Sequence, residues 1–259
     1  MIGTTAPVIV ADAPVPIARG EGLVAENLVR YYGKWRVVSD VTIQVRKGEV
    51  VGLLGPNGAG KTTTFHMMVG LLKPKQGRVL LEGRDITDEP VYRRARSGLG
   101  YLAQEPSIFR RLSVRDNLMA VLETLDLTRA AREQRLAQLL DDLDLTHLAD
   151  RQAHKLSGGE RRRVEITRAL VRQPSFMLLD EPFVGIDPIA VAEIQDIVRR
   201  LRERGLGVLI TDHNVRETLS ITNRAYIMYE GRILLQGSAE ALANDPRARE
   251  IYLGDRFRL

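Results

Sequence analysis

The sequence predicts an α/β fold: a mostly parallel sheet with covered faces, an N-terminal antiparallel β region, and a helical subdomain. Three observations carry this. Short and nearly continuous apolar runs, GEVVGLL at 48–54, FMLLD at 176–180 and GVLIT at 207–211, alternate with helical stretches, which is the pattern of parallel strands buried on both faces. Residues 23–45 instead read as two alternating stretches, the pattern of antiparallel strands. Between about 105 and 172 no strand signal occurs.

Taken in order, residues 1–22 carry three prolines and Asp12 and have no basic start; they read as a flexible tail and a poor signal peptide. The single domain that follows, 23–259, opens with LVAENLVRYY and VVSDVTIQV, separated at Gly33 and Lys34. The strand 48–54 then runs into a glycine loop, and KTTTFHMMVGLL is the helix after it. Within 105–172, Leu136, Leu139, Leu140 and Leu143 trace an i, i+3, i+4, i+7 stripe backed by charges, which marks an amphipathic helix. That region is either a helical insertion or a core-packing layer of the same domain. RAYIMYEGRILLQG, at 224–237, reads as a hairpin turning at Glu230 and Gly231.

Composition narrows the classes. With 259 residues, 44% of them hydrophobic, the chain can fill one large core. No apolar run approaches the roughly 20 residues of a membrane span, so a globular chain soluble on its own is expected. There is no cysteine, which rules out disulfides and thiolate metal sites and is compatible with the cytosol. The net charge of +5 comes from arginine clusters, YRRAR, FRR, ERRR and VRRLRER, which read as solvated helix faces or a cationic underside near an anionic membrane. Aromatic residues are too few to indicate a nucleic-acid partner.

The chemistry is concentrated in three segments. GPNGAGKTT, at 55–63, satisfies the P-loop pattern in a strand–loop–helix setting, so the core is predicted to be that of a P-loop NTPase. Gly55, Pro56, Asn57, Gly58, Ala59 and Gly60 form the loop whose amides turn toward phosphate oxygens. Lys61 reaches the β- and γ-phosphates of ATP, the Thr62 hydroxyl coordinates Mg²⁺, and Thr63 continues the helix start. FMLLDE supplies the acids: Asp180, at the strand's carboxyl end, is placed to hold Mg²⁺ through water. Glu181 follows it, turned the other way by the strand's period of two, and is the expected general base.

The third segment, KLSGGERRRVEI, poses a question. Ser157, Gly158 and Gly159 open a second helix whose bare amides suit an anion, although the chain already has a phosphate cradle. Ser157 with Glu160 also reads as a capping box, which needs no ligand.

The P-loop, the LSGGE segment and the acidic strand together resemble the ATP-binding cassette of membrane transporters, over essentially residues 23–259. The resemblance implies an ATPase that works as a head-to-tail homodimer, in which Ser157, Gly158 and Gly159 of one chain close over the γ-phosphate held by the other. It further implies that Tyr32 stacks on adenine, that Gln104 in YLAQE touches Mg²⁺ and the attacking water, that His213 in TDHN bonds the γ-phosphate, and that Asp187 in GIDP lies at the dimer contact. Two transmembrane subunits would be its partners, at the cytoplasmic face of a bacterial inner membrane, with no direct contact to the transported molecule.

Within the family, the likeness of SIFRRLSVRDNLMAVLE, LDEPFVGIDPIAV and the ending IYLGDRFRL is nearest to ATPase subunits of lipopolysaccharide exporters of Gram-negative bacteria. A branched-chain amino acid importer would share the chemistry and differ in partner. A non-transport ATPase of the family acting on DNA or ribosomes would need a second cassette, a coiled coil or a zinc module, none of which is present. A GTPase would need an N-K-x-D segment after the P-loop, which is also missing. Finally, Phe109 beside Arg110 and Arg111, directly after Gln104, has the composition of an interface hot spot and is expected to dock the membrane subunits, unless Phe109 is tucked into the local core.

Overall fold

A computed structural model describes residues 9–10, 20–254 and 257. Of the expected tail it describes β1 (Ile9–Val10), paired in parallel with the last strand of the main sheet, and residues 20–22, where Gly22 and Glu82 exchange hydrogen bonds; its other residues lie outside those described. The antiparallel region forms from β2 (Leu23–Tyr32) and β3 (Trp35–Val45), joined where Gly33 takes a left-handed φ of +59°.

After β4 (Val50–Leu54), the P-loop and α1 (Lys61–Val69), the chain adds β5 (Gln76–Leu81) and β6 (Arg84–Asp85) to complete a four-stranded antiparallel sheet, β3-β2-β5-β6. Its third strand was hard to read because it enters through Gly77, at φ +87°, where a Cβ would lie 2.4 Å from Asn27 O. Beside it the β2 register shifts between Glu26 and Val29, so alternation is broken where the strand begins.

The main sheet takes shape around β4. α2 (Val91–Arg96) leads into β7 (Leu99–Leu102), and the helical region supplies α3 (Val114–Leu122), α4 (Arg129–Asp142) and α5 (Gly158–Leu170). β8 (Phe176–Asp180), α6 (Pro188–Glu203), β9 (Gly207–Thr211), α7 (Val215–Leu219), β10 (Arg224–Tyr229), β11 (Arg232–Ser238), α8 (Ala239–Asn244) and α9 (Pro246–Ala248) follow. The order is β1-β11-β10-β4-β9-β8-β7, parallel throughout from β10 to β7. The final hairpin turns at Glu230 and Gly231, both at positive φ (46° and 77°), as a two-residue loop matched to strand twist requires.

Period two divides the sheet between two cores. Val50, Met177, Leu179, Val208 and Ile210 face the helical layer, in one cluster with Leu118, Leu136, Leu139, Leu140, Leu143 and Ile194. Val51, Leu53, Phe176, Leu178 and Leu209 face α1 and the antiparallel sheet. β4, β8 and β9 are therefore buried along their whole length, and their carboxyl ends converge on one rim.

Two arginines depart from the reading of the basic runs as solvated faces. Arg94, from YRRAR, is 1% exposed and donates to the carbonyls of Met67, Met68, Thr87 and Glu89, closing the carboxyl end of α1; Arg162, from ERRR, is 7% exposed. Each guanidinium is buried because backbone carbonyls satisfy its fixed fork of donors, a possibility that charge counting does not register. Among the described residues no helix is long and apolar enough to cross a membrane.

Candidate active site

The P-loop is shaped by what its glycines touch. Gly55 has φ +147°, and a Cβ there would lie 2.1 Å from Met228 O; Gly60, at φ +101°, would meet Met228 Cε and Val37 O at 2.8 Å. Side chains are thus excluded at both ends of the loop. Gly60 caps α1 without a side-chain acceptor, which leaves the first-turn amides directed into an open cleft. That cleft is lined by residues 57–63, together with Val37, Glu181 and His213.

Lys61 is buried and donates from Nζ to Gly55 O (2.6 Å) and Pro56 O (3.0 Å). Burial lowers its pKa, and the carboxylates of Glu181, Asp180 and Asp212 pull it back.

Asp180 ends β8 in a different condition. It is 1% exposed, and neither carboxylate oxygen has a hydrogen-bond partner. Burial, reinforced by the adjacent Glu181 charge, pushes its pKa up to about 6. A buried carboxylate without a donor is costly unless a cation completes it. A hard divalent ion such as Mg²⁺ fits this donor set, with the exposed Thr62 hydroxyl available on the cleft.

Glu181 turns away from Asp180, but strand alternation is not the cause. The strand has ended, and Glu181 sits at φ +48° in the left-handed region, its amide bonded to Thr211 O at 2.7 Å. Strained backbone of this kind persists where surroundings over-determine it. Its side chain is 5% exposed; Oε2 accepts from Gln104 Nε2 at 2.6 Å, and Oε1 lies 2.6 Å from His213 Nε2. Gln104, Glu181 and His213 are thus brought together on one carboxylate, and Gln104 is directed at the expected base.

Tyr32 ends β2, half exposed, opposite Trp35 and with the Arg30 guanidinium 5.5 Å from its ring centre. The second cradle stands apart: none of Ser157, Gly158 and Gly159 lines the P-loop cleft. The capping box is present, with Ser157 Oγ accepting from Glu160 N (3.2 Å) and Glu160 Oε2 from Ser157 N (2.7 Å). It uses two amides of the first turn and leaves those of Gly158 and Gly159. Asp187 caps α6, accepting from the amides of Ile189 and Ala190, on a surface where Val184 and Ile189 are 50% and 76% exposed. Phe109 is not tucked into the core: it is 52% exposed, with Arg168 over its ring at 5.4 Å and exposed Arg110 beside it.

Two residues escaped the sequence reading. Arg162 Nη2 donates to the carbonyls of Asp180 (2.9 Å) and Glu181 (3.0 Å), Nη1 to Ala103 O (2.8 Å) and Glu165 Oε2 (3.2 Å), and Nε to Pro182 O (3.3 Å). Its place four residues before Ile166, on the buried stripe of α5, was the available signal. Asp212 is 1% exposed and accepts from the amides of Phe183 and Asn214, pinning the segments that carry Glu181 and His213. It stands next to His213 in TDHN, and a carboxylate that bonds only backbone amides carries no sequence signal of its own.

A P-loop cleft, an unpartnered buried acid, and a second acid held by a glutamine and a histidine define a nucleoside-triphosphate hydrolase site. Residues 38–184 match the family model described as ABC transporter, and the chain belongs to the ATP-binding cassette ATPases of that family. It is 59% identical over 92% of its length, and 99% of the relative's, to the lipopolysaccharide export system ATP-binding protein LptB of Acidithiobacillus ferridurans. The protein of that name in Escherichia coli K12 is 53% identical over 92% of this chain and 99% of its own. Among solved structures, the ADP conformation of an ATP-binding cassette of an ABC transporter superposes with a TM-score of 0.81 at 31% identity, covering 91% of this chain and 99% of that one.

The raised pKa of Asp180 has a measurable consequence. Because the folded state holds this proton more tightly than the unfolded chain, its contribution to stability is full below the ordinary value of 3.8 and is lost as pH rises through about 6. Asp180→Asn removes that dependence. Measured by urea unfolding in EDTA, the stability of the Asn variant relative to the wild type is expected to rise between pH 4 and pH 7 by on the order of 3 kcal/mol. A flat difference would mean that the carboxyl group titrates normally.

Proposed function

We propose that this chain is the ATP-hydrolysing subunit of a lipopolysaccharide exporter, acting as a head-to-tail homodimer under two transmembrane subunits at the cytoplasmic face of the inner membrane. The observation that carries the substrate is near-complete overlap, at 59% and 53% identity, with relatives named for lipopolysaccharide export. The chemistry rests on the site. Residues 57–63 wrap the phosphates of ATP, and Lys61 leaves the carbonyls of Gly55 and Pro56 to meet their charge. Mg²⁺, held by Thr62 and Asp180, supplies neutralisation of the charge on the transferred phosphoryl group.

Glu181 takes the proton of the attacking water, with Gln104 and His213 fixing the carboxylate before reaction. The trans arrangement is supported by the separation of the two cradles within one chain and by the exposed apolar pair, Val184 and Ile189, beside Asp187. Phe109 and Arg110 are the docking residues, an exposed aromatic in a cationic setting next to the loop of Gln104.

Glu181→Gln keeps the nucleotide contacts and removes the base, so hydrolysis is expected to fall on the order of 10²- to 10⁴-fold while ATP is retained. Light scattering with Mg-ATP should then find a persistent dimer; a monomer, or normal turnover, overturns the assignment. Phe109→Ala is expected to lose the copurifying membrane subunits while hydrolysis by the isolated chain stays within about two-fold, since the ring is exposed and is not part of the cleft lining.

The experiment that decides the whole reading mixes two defective chains. Lys61→Ala breaks a P-loop and Ser157→Arg breaks an LSGGE loop, so either homodimer has two broken sites. A differently tagged heterodimer joins one intact P-loop to one intact LSGGE loop and should regain nucleotide occupancy and turnover. If both cradles served one nucleotide within a chain, mixing would restore neither.

A further inference from the structure

We propose that His66 is a positioning residue for the metal-binding carboxylate of Asp180: its imidazole orients that carboxylate toward the divalent cation. The inference rests on the ATPase reading and extends it to a residue outside every motif of the site.

His66 lies one helical turn beyond Thr62 on α1, at i+4, so the two side chains share a face of that helix. Its Nε2 is 3.9 Å from Asp180 Oδ2, and the ring makes no hydrogen bond to any other described residue. Asp180 offers two buried oxygens with no partner. One helix thus presents a hydroxyl for the cation and an imidazole for the carboxylate that would share that cation.

A separation of 3.9 Å exceeds a hydrogen bond. The His66 side chain is nevertheless 32% exposed, which leaves its ring room to close on Oδ2 through a small change of rotamer. As an imidazole donor the ring would serve the orienting role that carboxylate–metal pairs draw from a neighbouring side chain. Tyr101 faces the same carboxylate from β7. Two flanking donors would fix a group that a lone ion would leave free to rotate.

The test uses the full chain, Mn²⁺ as spin probe and a non-hydrolysable ATP analogue, with bound Mn²⁺ read by electron paramagnetic resonance. His66→Phe keeps the ring and deletes the donor; His66→Gln keeps a donor. The Phe variant should raise the Mn²⁺ dissociation constant on the order of 10-fold. The Gln variant should recover most of that loss, and metal-free nucleotide affinity in EDTA should be equal in all three proteins.

Mn²⁺ binding unchanged in the Phe variant overturns the proposal, as does an equal loss of metal-free nucleotide affinity, which would mark a packing effect. His66→Leu replaces the Phe variant if that protein fails to fold. A preference for Mn²⁺ over Mg²⁺ that disappears with the imidazole would make it a direct ligand and also overturn positioning. Failure of the wild type to bind either metal or nucleotide would refute the ATPase reading itself, an outcome distinct from all of these.

Discussion

The site is held together by a guanidinium buried under backbone carbonyls. Arg162 reaches from α5 to the carbonyls of Ala103, Asp180, Glu181 and Pro182 and to the carboxylate of Glu165. Those carbonyls belong to the segment before Gln104 and to the acidic strand end. A buried charge costs several kcal/mol unless its donors are satisfied, so the geometry that satisfies Arg162 is strongly selected over alternatives. Glu165 extends the tie outward: its Oε1 accepts from the Ser107 amide at 2.7 Å, and Arg168 binds Ser107 while covering Phe109. The two acids, the glutamine loop and the exposed aromatic are therefore fastened to one helix, whose first turn is the LSGGE loop.

That helix also resolves why two glycines follow Ser157. Gly159 is required inside the chain, because a Cβ there would lie 2.4 Å from Ala190 Cβ, where α5 packs against α6. Gly158 is under milder pressure, at 3.3 Å from Gly185 O and 3.4 Å from Ile186 Cγ2. The capping box and the free amides of the two glycines coexist because they use different positions of the turn. One glycine is explained by packing, and the other is where a ligand interpretation has most room.

Legibility followed the range of the interaction. The continuous strands, the hairpin at Glu230 and Gly231, the leucine stripe of α4 and the P-loop are local patterns, and each was readable from its own residues. β5 was obscured by a bulge created by its neighbour. Arg162, Asp212 and Arg94 were missed because their roles consist of bonds to backbone atoms remote in sequence, and a backbone carbonyl has no letter. The direction of Glu181 comes from its own left-handed backbone after the strand, which no alternation rule anticipates.

The two acids at the end of β8 show how adjacent carboxylates acquire separate tasks. Glu181 accepts a hydrogen bond from Gln104 and has the His213 imidazole 2.6 Å from its other oxygen, so its orientation is determined by protein alone. Asp180 is given almost no such neighbours, and burial lifts its pKa, so its charge is stable only when a cation arrives. In the proposed mechanism a base is oriented before reaction, whereas a metal-binding acid keeps its lone pairs free, and the distribution of hydrogen bonds fits that proposal. The backbone reversal between them makes that division possible. Had Glu181 continued the strand, alternation alone would have set its direction, on the face opposite Asp180.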